Sequence, residues 1–162
     1  MGTITQIVLH CSDSTWGTAV EIDRWHRARG WERIGYLGVI LNGYPLPKVY
    51  WEHADGAWEW GRPCDQNNSL SASEQEAHAL GINANSVGIC LIGTTTFSVR
   101  QLLAARQHIR SFCALWHLPY TAVIGHCEVP HSGKTCPNLN MSTFRSFLVD
   151  HALVDDLLTH GG

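Results

Sequence analysis

Two apolar runs do most to limit what this chain can become. Residues 86–93 read SVGICLIG, and residues 4–10 read ITQIVLH. Each is short and dominated by apolar side chains, the pattern of a strand buried in a sheet. The run at 4–10 ends on His10, so a polar ring is delivered at the C-terminal end of a buried strand. In sheets packed by helices, that end is where ligands usually bind.

The segments between the two runs fit one plan. Thr18-Ala-Val-Glu21 is a capping-box pattern and predicts a helix to about Arg29. Ile22, Trp25 and His26 share one face of it, and Gly30 stops it. Residues 36–41 are strand-like, and Asn42-Gly43 is a turn signal. Residues 49–53 and 58–61 read as two more strands around Asp55-Gly56, arranged as a hairpin. Residues 62–85 are polar and irregular, with a short helix expected over 73–80. Ser98-Val-Arg-Gln101 is a second capping box. The helix it opens carries Leu102, Ala105, Ile109, Phe112 and Trp116 as an apolar stripe. Residues 121–124 form a further strand that delivers His126, and a last helix begins near Ser142. This order predicts one α/β (α+β) domain over residues 1–162, a central mixed β-sheet flanked by helices.

Composition removes several function classes. A chain of 162 residues, 44% hydrophobic, can bury a real core. Its formal net charge is -3, so nucleic-acid binding through a basic face is not expected. The sequence holds no run of apolar residues long enough for a membrane span. The opening MGTITQIVLHC lacks the basic and long apolar regions of a secretory signal. The chain is therefore expected to be made in the reducing cytoplasm, with its six cysteines free or metal-bound. Cys90 and Cys113 read as inert core thiols.

The densest chemistry lies in residues 125–138, GHCEVPHSGKTCPN. His10, His126 and Cys136 come from separate segments at the rim of the expected sheet. Three such donors suit a catalytic zinc, which takes three protein ligands and leaves a fourth position for water. The residues alone leave two other readings open: ordinary polar rim positions, or a cysteine nucleophile with a histidine base. Cys11 and Cys127 each follow a histidine directly. Neighbours on an extended strand point to opposite faces. If His10 and His126 face the site, Cys11 and Cys127 face away into packing.

Five segments in sequence order carry a resemblance: IVLHCSDS (7–14), EIDRWHRARGWERIGY (21–36), DGAWEWGRP (55–63), HALGINANSVGICLIG (78–93) and GHCEVPHSGKTCPN (125–138). With them the chain resembles the zinc-dependent N-acetylmuramoyl-L-alanine amidases, the group that includes phage lysozyme-type amidases and peptidoglycan recognition proteins. The resemblance implies one Zn2+ held by His10, His126 and Cys136 in a groove at the strand C-terminal ends. It implies catalytic roles for Tyr36 and Lys134, with His78 and Asn83 as substrate contacts. The implied reaction is hydrolysis of the amide between N-acetylmuramic acid and L-alanine in peptidoglycan.

The residue types suit that reaction. Zinc activates water and polarises the scissile carbonyl. Lys134 would stabilise the oxyanion, and losing one comparable donor costs roughly 100–1000-fold in other hydrolases. Tyr36 would orient the water or donate to the oxyanion. Glu128 reads as a partner of a ligand or as a salt-bridging loop residue, with the structural role favoured. Trp51, Trp58 and Trp60 either line the cleft or pack a hairpin.

The chain departs from the family at Leu37, where many relatives carry histidine. It is also longer than the compact pattern between Leu41 and Asp55, and NNSLSASEQE precedes His78 as a second insertion. The expected role is a bacteriolytic phage or prophage endolysin, with an effector exported by a dedicated machine and a cytoplasmic enzyme that trims recycled muropeptides as readings the sequence leaves open. It would be a monomer, made without a signal peptide and brought to the wall by another factor, with muropeptides as its partner. A non-catalytic peptidoglycan-binding module of the same fold is the alternative.

Overall fold

A computed structural model describes residues 2–159. In chain order the elements are β1 (Gly2–Thr3), β2 (Gln6–Cys11), α1 (Ala19–Ala28), β3 (Gly38–Asn42), β4 (Asp55–Trp60), β5 (Ser69–Leu70), β6 (Ser86–Leu91), α2 (Val99–Leu115), β7 (Val123–Gly125), α3 (Met141–Val149) and α4 (Val154–Thr159). The central sheet has the order β4-β3-β6-β2-β7. Three of its four pairings are parallel, and β4 runs antiparallel to β3 at one edge. β1 and β5 form a separate two-stranded ribbon. The expected mixed sheet with helices on its faces is the observed architecture.

Strand alternation divides the core into two layers. Ile7, Leu9, Ile40, Ile89 and Leu91 pack with Leu102, Ile109 and Phe112 of α2 and with Phe144 and Phe147 of α3. The alternate residues Val39, Leu41 and Cys90 pack with Ala19 and Ile22 of α1 on the other face. Burying each such aliphatic side chain stabilises the fold by about 1.5–3 kcal/mol relative to exposure. Val8 belongs to that second face, where it packs with Ala79 and Val129 rather than with α1. There the sheet is covered by loops instead of a helix.

Both cap predictions mark true helix starts. Ser98 Oγ accepts the Gln101 N–H and Gln101 returns a bond to the Ser98 N–H, a complete capping box. Thr18 Oγ1 accepts the Glu21 N–H, while the Glu21 carboxylate pairs with Arg24. Glu59 of β4 accepts the Ala19 N–H and so completes that terminus from across the fold.

Two expectations need correction. The hairpin is β3–β4, not 49–53 with 58–61; residues 52–54 form a 3₁₀ turn instead. The local signal at Asp55-Gly56 marks a register shift opposite Ile40 and Asn42, with Gly56 at φ +82°. No helix forms over 73–80: a single turn opens at Ser71, which Glu74 caps, and the chain then leaves helical register where Glu76 turns to Gly88. Glu74 accepts N–H groups of Asp65 and Ser71, and Glu76 accepts that of Gly88. Cys90 and Cys113 are buried as expected.

Candidate active site

The second face of the sheet, where loops replace the helix, holds a cavity of about 920 Å³. Its lining includes Tyr36, His78, Asn83, His126 and Lys134, all singled out from the sequence. Its size falls in the range of sites that enclose a small ligand.

His10, the fifth residue of β2 and 1% exposed, lies behind the lining together with Cys136, and of the three expected metal ligands His126 reaches the cavity. His126 begins the 3₁₀ turn that follows β7, the neighbour of β2 in the sheet. Cys136 is returned to this point by the Cys127 N–H, which donates to the Cys136 carbonyl at 2.8 Å. The turn itself is anchored by Glu128, whose carboxylate accepts the Gly125 N–H and both terminal nitrogens of Arg145 on α3. Glu128 thus takes the structural of its two expected roles. The potential ligand atoms of His10, His126 and Cys136 all lie within 4.8 Å of one another.

Hydrogen-bond polarity fixes which His10 nitrogen is free. Ser86 Oγ donates to the Ile82 carbonyl at 2.7 Å, and the Ser86 carbonyl can only accept. Both therefore act as acceptors toward His78 Nε2, at 3.1 and 3.3 Å. His78 carries its proton on Nε2, and burial pushes its pKa down to about 4, so the ring is neutral. Its Nδ1 must then accept from His10 Nε2–H, 2.9 Å away. That leaves the lone pair of His10 Nδ1 as an acceptor facing the Cys136 thiol, 4.0 Å away.

The electrostatics favour the same state. Burial, reinforced by His78, His126 and His26, holds His10 well below the usual histidine range. Burial and Lys134 lower His126. Both rings are neutral, the form in which imidazole binds a metal. Cys136 Sγ accepts the backbone N–H of Cys11 at 3.0 Å, a bond that supports negative charge on sulfur. In the bare protein the Cys11 side chain and burial push the Cys136 thiol up. A divalent cation reverses that sign by favouring the thiolate. Two neutral imidazoles, a thiol and a free approach from the cavity fit a zinc ion.

Tyr36 precedes β3, with its ring centroid 5.0 Å from that of His10 and 5.4 Å from that of His26. Burial, together with the Cys90, Cys136 and Cys11 thiols, raises its pKa well above the usual phenol value. It stays a protonated hydrogen-bond donor. Lys134 is exposed on the opposite lip. Leu37 is buried in the core.

Several placements differ from expectation. The His78 side chain is fully buried (0% exposed), with both nitrogens engaged inside the protein. Asn83 Oδ1 accepts the N–H groups of His78 and Ala79, so it shapes the loop that carries His78. Cys11 is buried in the opposite core layer, whereas Cys127 is exposed rather than packed. None of Trp51, Trp58 and Trp60 lines the cavity: Trp58 stacks on His108 of α2, and Trp51 and Trp60 are exposed. Trp31 and Arg29 do line it, and sequence reasoning passed over both. Their signal was position, directly beyond the α1 face that carries His26.

Comparison with known proteins agrees with this geometry. The sequence profile described as N-acetylmuramoyl-L-alanine amidase matches residues 1–139. The endolysin of Klebsiella phage KP32 is 28% identical over 148 residues, spanning 85% of this chain and 82% of that protein. The amidase LysC from Clostridium intestinale shares the fold at a TM-score of 0.65 and 24% identity, over 84% of this chain and 77% of that one. The ectodomain complex of peptidoglycan recognition proteins LCa and LCx, with tracheal cytotoxin bound, aligns at a TM-score of 0.62 and 21% identity, over 85% and 77%.

Proposed function

From the premise that this chain belongs to the N-acetylmuramoyl-L-alanine amidase family and is an amidase of peptidoglycan, we propose that it is a zinc-dependent phage-type endolysin. On this reading it cleaves the amide between N-acetylmuramic acid and L-alanine. The observation that carries zinc dependence is the convergence of His10, His126 and Cys136 beside a cavity, with the His10 Nδ1 lone pair turned toward Cys136 Sγ. The endolysin role draws support from the similarity to the phage KP32 protein.

His10 Nδ1, His126 and Cys136 would hold the ion. Bound zinc supplies Lewis acidity, which activates water and polarises a carbonyl. The chain's own residues do the rest. Lys134 places an ammonium where negative charge develops on the carbonyl oxygen. Tyr36, kept protonated by burial, donates a hydrogen bond at the same centre. Asn83 and His78 hold the wall of the cavity rather than the reacting atoms. Arg29 and Lys134 line the cavity, and no carboxylate does among the described residues. A peptide stem bearing carboxylates suits such a lining.

The experiment is zinc loading followed by digestion of purified wall. One zinc per chain, with stem peptides released by their N-terminal alanine, supports the reading. Wall binding without any product favours the non-catalytic module.

A further inference from the structure

One buried acid takes no part in the chemistry above. Glu76 has a side chain only 2% exposed, inside a segment that the sequence marks as an insertion. One oxygen of its carboxylate accepts the Gly88 N–H at 2.5 Å and lies 3.7 Å from His78 Nε2. His78 Nε2 therefore points at two acceptors, Ser86 Oγ and the Ser86 carbonyl, with the Glu76 carboxyl packed just beyond hydrogen-bond reach. The ring rests directly on Gly88, where an added Cβ would stand 2.8 Å from His78 Cγ. Position, tilt and tautomer of His78 are thus all fixed from behind.

We propose that Glu76, His78 and Ser86 form a buried relay behind His10 that fixes its Nε2–H form and strengthens metal binding at His10, His126 and Cys136. The inference rests on the reading that these three residues hold a metal. His78 is the positioning residue, because it alone touches His10. A hydrogen-bond acceptor on the far nitrogen of a ligating imidazole orients the ring and raises its basicity. Here that acceptor is a second imidazole, held by the Ser86 acceptors, and Glu76, whose carboxyl burial pushes toward its neutral form, packs a further oxygen behind it. An acid at 76 acts through two rings, so its effect is smaller than that of His78.

The test measures zinc affinity by chelator competition, on the full chain and apart from catalysis. His78→Phe keeps a flat ring over Gly88 but has no nitrogen, and should bind zinc about 100-fold more weakly. His78→Gln offers an acceptor to His10 and a donor to Ser86, and should recover part of that loss. Glu76→Gln still accepts from Gly88 but changes the group packed behind His78, and should weaken binding less than His78→Phe does. A long-range nitrogen–proton spectrum of the metal-free protein should show both His10 and His78 protonated at Nε2. That spectrum decides the matter even if a variant fails to fold. Wild-type affinity in both His78→Phe and Glu76→Gln, or a proton on His10 Nδ1, overturns the relay while leaving the amidase reading intact. A wild-type chain that binds no zinc overturns the metal reading and the relay with it.

Discussion

At the scale of the residue, the two cysteines of the 125–138 loop separate cleanly. Cys136 aims sulfur at the two histidines and takes a backbone N–H from Cys11. Cys127 contributes a backbone bond to the same turn, and its thiol is exposed. Cys136→Ala should lose zinc and activity together, while Cys127→Ala keeps both; metal analysis beside a wall-clearing assay checks this. An empty site in Cys127→Ala would contradict the assignment. Lys134→Ala should lower kcat roughly 100–1000-fold with zinc retained. Unchanged turnover would remove Lys134 from the chemistry.

At the scale of the element, the scaffold supplies close approach and caps. Gly88 must lack a side chain because the His78 ring occupies that space. Gly88→Ala should therefore weaken zinc binding, whereas Ser98→Ala should cost about 1 kcal/mol of stability and leave zinc binding alone. Denaturant titration and chelator competition separate the two effects. These elements also show what the sequence reveals. Capping at Ser98 is legible because every partner lies within one turn of chain. The alternating buried runs of β2 and β6 are legible because periodicity is local. The hairpin misreading at 49–61 arose because β4 takes its partner from the sheet edge, not from the nearest turn. The expected helix at 73–80 stops after its first turn, which Glu74 caps locally at Ser71, because Glu76 is drawn into a bond with Gly88 that only the folded chain offers. His78 was legible as part of the site from the family pattern. Its inward orientation was not, since Ser86 and Ile82 set it across the fold.

At the scale of the whole molecule, the fold holds neutral histidines where water would charge them. Burial, helped by Arg29, lowers His26 to about 4, and the same effect places His78 at about 4. Both values lie below the unfolded value of about 6.5. Below that pH the unfolded chain takes up protons that the folded chain refuses, so folding weakens as pH falls. The stabilisation is fully present above about pH 6.5 and should be lost as pH falls toward 4. Urea midpoints across that window should decline, and His26→Gln should shallow the decline. A flat profile would mean that these rings are solvated.

The account's central claim joins a fold, a donor set and a reaction. Its most direct test is a digest of purified peptidoglycan read by mass spectrometry, with chelator and with zinc restored. The account predicts stem peptides with a free N-terminal alanine, abolished by the chelator and recovered with zinc. Cleavage at another bond, or cleavage indifferent to the chelator, would contradict it.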